Sequence, residues 1–331
     1  MKRVFCLLLC VFLLLSLAAC GSSGAEDTQA TQPPAPTESP EEAKVLKILT
    51  IGNSHSYDAT QLLYEVFMAQ APEQEVVIGT LYYSGCSIAQ HVSFASSNQP
   101  VYELSVNSTG TWERTPDVTM QTGICAQAWD IVVIQEVYAG NEEVFQNDNR
   151  HKLVEYVNQN LSHPHIFVWN MDIVCPNDET FYTPTYDPQP PTTFRARQTA
   201  IHGFDPVNDL KLTQANVVKY VLPDETYSNY IPSGTVVMYA HLVDGWTQLD
   251  LYRDYIHVTD FGRLLVSYMW YAQLTGEPLT EVKIDSIEAS LRHRRAIPLG
   301  DMEVTAEMKQ TILDAVNHCL EHPWTVPGET A

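Results

Sequence analysis

Residues 45–56 have the sequence Val-Leu-Lys-Ile-Leu-Thr-Ile-Gly-Asn-Ser-His-Ser. The apolar first half has the character of a buried strand and stops at Gly52-Asn-Ser54. A helix is predicted to follow over about 58–71. A serine that ends a buried strand, on a tight turn into a helix, lies at the carboxyl edge of the sheet. Open α/β folds place their chemistry at that edge.

Strands and helices are predicted to alternate along the rest of the chain. Apolar stretches rich in β-branched residues predict further strands at 76–82, 130–135, 166–170 and 235–239. Helical patterns lie near 118–127, 148–160, 194–221, 260–275 and 304–320. This order predicts a parallel sheet with helices on both faces. Two segments break the pattern: 102–114 is interpreted as a hairpin insertion and 175–193 as a loop at the mouth of a site.

A carboxylate and a histidine occur together much later, in Asp254-Tyr-Ile-His257. A histidine titrates near neutral pH and can act as a general base. A carboxylate bonded to its other ring nitrogen would hold the tautomer. With Ser54 they are the parts of an acyl-transfer enzyme. The alternative is that Ser54 only caps the helix that follows it and that His257 is a surface histidine.

With these residues in order, the chain resembles the SGNH (GDSL-like) hydrolase superfamily. It is most similar to a branch of bacterial lipoproteins in which Gly-Asn-Ser replaces Gly-Asp-Ser. The resemblance covers most of 45–280 and implies a flavodoxin-like three-layer α/β sandwich with a parallel five-stranded sheet, within a domain at 45–325. It implies Ser54 as the nucleophile, His257 as the base and Asp254 as the partner of His257.

The resemblance also implies an oxyanion hole with three donors. They are the backbone N–H of Ser54, the backbone N–H of Gly85 after the second strand, and a side-chain amide after the third strand. The family has an asparagine at the last position, whereas this chain has Gln135, with the same carboxamide on a longer side chain. No metal or organic cofactor is expected.

Members of this superfamily at cell surfaces often remove acetyl or other short acyl groups from carbohydrates. We therefore expect a serine esterase that hydrolyses short acyl esters, chiefly acetyl esters on carbohydrate, through an acyl-serine intermediate. Its partner would be a small-molecule or glycan ester. Trp169, Trp246 and the tyrosines of 182–186 are expected mainly in the core or in loops, although one or two could stack on a sugar. The alternative is a non-catalytic surface lipoprotein that binds a glycan or another solute.

The N-terminus has the pattern of an exported lipoprotein. Lys2 and Arg3 precede an uncharged apolar run, and Leu17-Ala-Ala-Cys20 follows it. We expect residues 1–19 to be a signal peptide and Cys20 to carry the lipid. Residues 20–44 are rich in Ser, Thr, Pro and Glu and are expected to be a disordered tether. The protein would then be anchored to the outer face of the bacterial cell membrane by the lipid on Cys20 alone.

Composition excludes some partners. The chain has 18 basic and 40 acidic residues, a formal net charge of −22, which argues against nucleic acid and against electrostatic docking on anionic lipid. We expect a monomer. The cysteines beyond Cys20 are scattered, so a zinc site is not expected, whereas one disulfide and free thiols are both compatible with the sequence. They are Cys86, Cys125, Cys175 and Cys319.

Overall fold

Strand β1 (Leu46–Gly52) lies in the middle of the sheet and ends immediately before Asn53 and Ser54. The computed structural model describes residues 45–137, 139–182, 205–288 and 301–329. These ranges belong to one compact unit. Several predicted segments lie outside the described residues. They are the signal peptide at 1–19, the lipidated Cys20, the tether at 20–44, the end of the predicted 175–193 loop and the start of the predicted 194–221 helix.

Four strands run parallel to β1 in the same sheet: β2 (Val76–Tyr82), β5 (Ile131–Gln135), β6 (Ile166–Asn170) and β7 (Tyr227–Ile231). The predicted hairpin is confirmed as β3 (Tyr102–Asn107) and β4 (Trp112–Val118), which extend the sheet antiparallel to β2. The strand order is β4-β3-β2-β1-β5-β6-β7. Among the parallel strands the first lies between the second and the third, as in flavodoxin-like folds. The α/β fold with five parallel strands is therefore confirmed, and the hairpin makes the sheet seven-stranded and mixed.

Helices cover both faces of the sheet, and alternate side chains of the central strands point into two separate cores, with Ile48 on one side and Leu49 on the other. The first core contains side chains of α1 (Ser54–Thr60), α2 (Leu63–Gln70), α7 (Ser233–Leu242), α8 (Gln248–Leu251), α9 (Asp260–Thr275) and α10 (Ala306–Glu321). The second contains side chains of α3 (Ile88–Ser96), α4 (Met120–Ile124), α5 (Asn149–Asn160) and α6 (Pro206–Asn216). A π-helical turn at Val217–Val221, 3-10 turns at Glu142–Phe145 and Glu179–Tyr182, and a two-stranded ribbon of β8 (Ser286–Glu288) and β9 (Asp301–Glu303) complete the described elements.

The strand predicted at 235–239 is wrong. That segment lies inside helix α7. The fifth parallel strand is β7, which begins at Tyr227, eight residues before the start of the predicted strand. Every residue from Ser233 to Met238 is buried. A short apolar run of this kind cannot be assigned to a strand or to a buried helix from its period alone. The β7 sequence Tyr-Ser-Asn-Tyr-Ile is more polar because it pairs only with β6 and forms an edge of the sheet.

The sequence was compatible with one disulfide or with free thiols. The four cysteines of the described residues are free thiols. Within the described ranges no helix is long and apolar enough to cross a membrane.

Candidate active site

Helix α1 begins at the carboxyl edge of the sheet with Ser54 as its first residue. Its N-cap is Asn53, whose Oδ1 accepts a hydrogen bond from the backbone N–H of His55 at 3.0 Å. The side-chain Nδ2 of Asn53 donates to the backbone oxygen of Cys86 at 3.3 Å, in the turn after β2. The reading of Ser54 as a helix cap is therefore wrong, because Asn53 fills that position. Ser54 is half-buried at the carboxyl edge of the sheet.

Gly52 is required by the close approach of this helix to the strand. A Cβ at Gly52 would lie 2.1 Å from the Oγ of Ser56. No side chain fits there without moving the helix away from the strand. The tight strand-to-helix turn that presents Ser54 therefore depends on the absence of a side chain two residues earlier.

The predicted Asp254–His257 pair forms in the loop that joins α8 to α9. Residues 253–258, here called the His257 loop, are closed by a hydrogen bond from the backbone N–H of Arg253 to the oxygen of His257 at 2.9 Å. The Nδ1 of His257 lies 2.9 Å from Oδ2 and 3.0 Å from Oδ1 of Asp254. Asp254 Oδ1 also accepts from the backbone N–H groups of Ile256 at 2.9 Å and of His257 at 2.8 Å.

These contacts decide the charge of Asp254. Burial opposes its ionisation, but the hydrogen bonds from the side chain and backbone of His257 and from Ile256 hold the pKa of Asp254 below its usual value. Asp254 is therefore a carboxylate near neutral pH. It occupies the Nδ1 side of the ring.

A buried polar network lies beside this pair. The Oγ of Ser56 donates to Oε1 of Gln135, and Nε2 of Gln135 donates to Oδ1 of Asp172 at 2.5 Å. The same Oδ1 lies 2.5 Å from Nδ1 of His55, and the other ring nitrogen of His55 lies 2.8 Å from the backbone oxygen of Ile256. The network joins the carboxyl ends of β1, β5 and β6 to the His257 loop.

His55 and Asp172 form a second histidine–carboxylate pair that sequence analysis did not identify. A structural role was expected for His55, and Asp172 was not singled out. His55 is not suited to be the base, because both of its ring nitrogens already face oxygen atoms of the protein. The signal in the sequence is weak: Asp172 lies two residues after the fourth parallel strand, an edge position shared with Gln135 at the end of β5.

A second link between helix α1 and the His257 loop is ionic. Asp58, which is 1 % exposed, accepts hydrogen bonds from NH2 of Arg253 at 3.0 Å and from Nε and NH2 of Arg263 at 2.9 and 2.7 Å. Asp260 pairs with Arg263 at 3.0 Å. Burial opposes ionisation of Asp58, but the two guanidinium groups hold its pKa well below its usual range. Arg253 also donates to the backbone oxygen of Val258, so the ion pair holds the loop at both ends.

The structure thus brings the two predicted segments together. His55 and Asp58, which follow Ser54 in α1, bind the His257 loop directly. The ring centroids of His55 and His257 are 6.2 Å apart, with the rings nearly perpendicular. The base candidate therefore lies next to the residue that follows the nucleophile candidate.

Gly85 and Gln135 both lie at the predicted edge of the sheet, but Gly85 is exposed and Gln135 is buried. Gly85 is exposed in the turn after β2 with φ +61°, a conformation that favours glycine. The turn is closed by a hydrogen bond from Cys86 N–H to Tyr83 O at 3.3 Å, and Asn53 holds it against α1. Gln135 is fully buried, and one of its amide N–H groups is already used by Asp172.

Glu136 is a further buried carboxyl at this edge. Its oxygens accept from the backbone N–H groups of Ile88 at 3.2 Å and of Val137 at 2.9 Å, at the start of α3 and the end of β5. Burial raises the pKa of Glu136 to about 8, although those two N–H groups oppose the shift. Across the described ranges, no group of three or more His, Cys, Asp or Glu side chains has the arrangement of a metal site.

One solved structure has a similar fold over most of the chain. A DUF4886 family protein from Bacteroides uniformis is 19 % identical, with a TM-score of 0.67, and the match covers 86 % of this chain and 97 % of that one. Weaker likenesses are found to a variant of Axe2, an acetyl xylan esterase from Geobacillus stearothermophilus (11 % identity, 71 % and 96 % covered, TM-score 0.40), and to a member of the lipolytic G-D-S-L family from Veillonella parvula (12 %, 70 % and 99 %, TM-score 0.40).

No curated protein matches the chain at a significant level. The model of the DUF4886 family does match, over residues 47–173. This range includes Ser54, Gly85 and Gln135 and ends before the His257 loop. Residues 47–173 are thus similar to DUF4886, a domain of unknown function.

Proposed function

We propose that this protein is a serine hydrolase that cleaves short acyl esters, chiefly acetyl esters, through an acyl-Ser54 intermediate. The observation that carries the proposal is the Asp254–His257 pair, held by His55 and Asp58 beside the helix that begins at Ser54. The order of these residues and their places in the fold also match the resemblance to SGNH hydrolases.

The reaction follows from the residues. Ser54 Oγ attacks the ester carbonyl carbon while Nε2 of His257 takes the hydroxyl proton, and Asp254 stabilises the imidazolium through Nδ1. The tetrahedral intermediate collapses, the alcohol leaves with the proton from His257, and Ser54 is acylated. A water molecule then attacks the acyl-serine, with His257 again as base, and the carboxylic acid is released.

Charge on the tetrahedral oxygen needs donors that are already in place. The backbone N–H groups of Ser54 and Gly85 are proposed for this purpose, because the Asn53–Cys86 hydrogen bond holds the two segments together. The third donor is the second amide N–H of Gln135, since the first donates to Asp172. Loss of one such donor typically lowers the rate about 100- to 1000-fold.

A carbohydrate alcohol is favoured by an aromatic and polar surface beside Ser54, here called the Tyr57 patch and made of Tyr57, Tyr82, Glu103 and Arg114. Tyr57 lies one helical turn after Ser54, and its ring centroid is 5.3 Å from that of Tyr82. The guanidinium of Arg114 lies 5.4 Å from the centroid of Tyr57 and pairs with Glu103 at 3.3 Å. All four residues are half-buried. Ring faces next to a donor–acceptor pair suit a sugar ring and its hydroxyl groups.

The position of this patch follows from the register of the sheet. Gly52 pairs with Tyr82, and Tyr82 pairs with Glu103, so the patch begins one strand from the nucleophile turn and extends two strands, about 10 Å, across the sheet. The predicted hairpin insertion therefore supplies half of the patch. By contrast, Trp169 is fully buried in the core, so its use in sugar stacking is excluded. Tyr186, one of the tyrosines considered before, lies outside the described residues.

Export and anchoring remain part of the proposal, with residues 1–19 as signal peptide and Cys20 as the lipid attachment site. The enzyme would work as a monomer on the outer face of the cell membrane. Incorporation of an alkyne fatty acid in vivo tests this. Label on the wild-type chain and none on Cys20→Ser is the expected result, and equal labelling would contradict it.

The test of the reaction compares p-nitrophenyl acetate with p-nitrophenyl octanoate. We expect acetate to be the better substrate and its turnover to be abolished in Ser54→Ala and His257→Ala. Ser96→Ala and His322→Ala, at exposed positions away from the sheet edge, are the matched controls and should keep full activity. No turnover by the folded wild-type protein would contradict the proposal and would favour a glycan-binding lipoprotein instead.

The test of the alcohol group compares a mono-O-acetyl methyl glucopyranoside with cyclohexyl acetate, which has a six-membered ring without hydroxyl groups. Arg114→Gln and Tyr57→Ala should lower kcat/KM for the sugar ester about 5-fold or more and change cyclohexyl acetate little, since each lost contact contributes about 1 kcal/mol or more. Equal effects on both esters would remove the carbohydrate part of the proposal and leave the esterase.

A further inference from the structure

His55 is the one residue of the described site that joins the sheet edge to the His257 loop through both of its ring nitrogens. It is 3 % exposed. Its Nδ1 lies 2.5 Å from Oδ1 of Asp172, and its Nε2 lies 2.8 Å from the backbone oxygen of Ile256. The peptide whose oxygen is bound in this way connects Ile256 to His257.

Both acceptors constrain the protonation of the ring. A carbonyl oxygen and the carboxylate of Asp172 can only accept hydrogen bonds, so each ring nitrogen needs its own proton to make both contacts. A ring with two N–H groups is an imidazolium. Burial opposes this charge, but Asp172, through its charge and its hydrogen bond, together with Asp58 and the Ile256 oxygen, raises the pKa of His55 above its usual value of 6.5.

Loss of one proton would release one of the two contacts. The carboxylate is the stronger acceptor, so the remaining proton would stay on Nδ1, between the ring and Asp172. Nε2 would then direct a lone pair at the Ile256 oxygen, and the two would repel each other. The peptide before His257 would lose its link to the helix of Ser54.

We propose that His55 is a positioning residue that, as an imidazolium, holds the Ile256–His257 peptide and so sets the position of the base beside Ser54. Activity is then lost at alkaline pH, when His55 gives up its second proton. This inference rests on the proposed esterase function. It assigns His55 no contact with substrate and no part in the proton transfer itself.

The charged and titratable groups around His55 come from several elements. Asp172 faces it from the end of β6, Asp58 from its own helix, and His257 from the loop at 6.2 Å between centroids. A cavity of about 20 Å³ adjoins the ring, and Cys175 and Asp209 are on its walls. The carboxylates favour the charged form. Burial opposes it, and the guanidinium groups of Arg253 and Arg263, which pair with Asp58, add positive charge nearby.

The sign of the pH dependence follows. A general base accepts a proton, so His257 has to be uncharged in the active form. His55 must be charged to hold the loop, so activity falls as pH rises through its elevated pKa. The stability that His55 contributes is likewise fully present below 6.5 and lost through the same alkaline range.

Two measurements on the full-length chain test this. The first is the pH profile of kcat and KM for p-nitrophenyl acetate. The second is the ¹⁵N spectrum of histidine-labelled protein, which reports whether each ring nitrogen carries a proton. We expect a doubly protonated histidine signal at pH 7 that is absent from His55→Gln and that loses a proton in step with the alkaline fall in kcat.

Variants separate positioning from mere stability. Asp172→Asn removes the charge that favours the imidazolium, so the alkaline fall should move to lower pH. His55→Gln should lower kcat about 10- to 100-fold with little change in KM, because a displacement near 1 Å is enough for that loss. It should also remove the alkaline fall. The matched control is His163→Gln: His163 pairs with Asp130 at 3.1 Å, at the opposite edge of the sheet, and the profile should stay that of the wild type.

The proposal is overturned if His55 is neutral at pH 7, or if His55→Gln or Asp172→Asn keeps the wild-type alkaline fall. Should both variants fail to fold, the wild-type spectrum and profile decide alone: a proton lost from His55 outside the range where kcat falls overturns it. A folded wild-type chain with no esterase activity overturns the proposed function, while the spectrum still shows whether the imidazolium bridge exists.

Discussion

Substitution of Asp58 by Asn tests how far the fold around Ser54 depends on buried charge. Asp58, Asp260, Arg253 and Arg263 form a cluster with two negative and two positive charges. The variant leaves Arg253 and Arg263 facing each other with one carboxylate between them removed. Breaking a buried ion pair by removal of one partner typically costs about 3–5 kcal/mol, because the other charge stays desolvated.

Urea unfolding of the purified chain, followed by far-UV circular dichroism, measures the change in the free energy of unfolding. The matched control is Asp285→Asn, the same substitution in the exposed pair with Lys309, where Asp285 is 89 % exposed. This variant should change stability little, because exposed pairs contribute little.

A double substitution completes the test. Asp58→Asn together with Arg253→Gln removes one charge of each sign and restores neutrality, so its cost should be smaller than the sum of the two single costs. The reasoning is refuted if Asp58→Asn costs no more than Asp285→Asn. Esterase activity provides an independent readout, because Arg253 directly precedes Asp254 in the His257 loop and a loosened loop should lower kcat.

Three further substitutions test the carboxyl edge of the sheet. Glu136→Gln keeps an acceptor for Ile88 N–H and removes a carboxyl group whose raised pKa lowers the stability of the fold as pH rises from the ordinary pKa of a glutamate toward about 8. Thermal unfolding should therefore show that the variant is more stable by a few kcal/mol at pH 8 and that this gain vanishes near pH 4. Glu143→Gln, at an exposed position, should show no gain. Gly52→Ala should cost about 1–3 kcal/mol in urea unfolding, because its Cβ would lie 2.1 Å from Ser56 Oγ, and an unchanged midpoint would contradict the packing. Asn53→Asp keeps the cap but loses the donor to the Cys86 oxygen, so we expect a loss of about 1 kcal/mol at pH 7 that shrinks once the carboxyl is protonated, whereas a gain in stability would refute this role of the amide.

Periodicity and local chemistry were enough to predict most of the fold. The strand before Gly52, the hairpin at 102–114 and the helix at 260–275 follow from patterns that depend on near neighbours in the chain. The prediction failed at 235–239, where a helix buried on nearly all sides has the same apolar run as a strand buried on both faces. The information that separates the two is the packing partner, which a local pattern does not contain.

Part of the candidate site could likewise be predicted from local sequence patterns, and part could not. Sequence motifs predicted Ser54 and the Asp254–His257 pair as candidates, because a strand-to-helix turn and a carboxylate three residues before a histidine are local signals. That Asn53 is the cap, and that its amide also binds the turn after β2, required the folded chain.

What the sequence by itself determined is which chemical groups are available and which strands present them at one edge of the sheet. Only the tertiary structure decided that His55 and Asp172 form a buried pair, 117 positions apart, and that His55 also binds the Ile256 oxygen, 201 positions away. The physical reason is that a short-range pattern specifies helices and strands, whereas the charge and position of a buried group depend on acceptors brought to it from distant segments when the strands assemble.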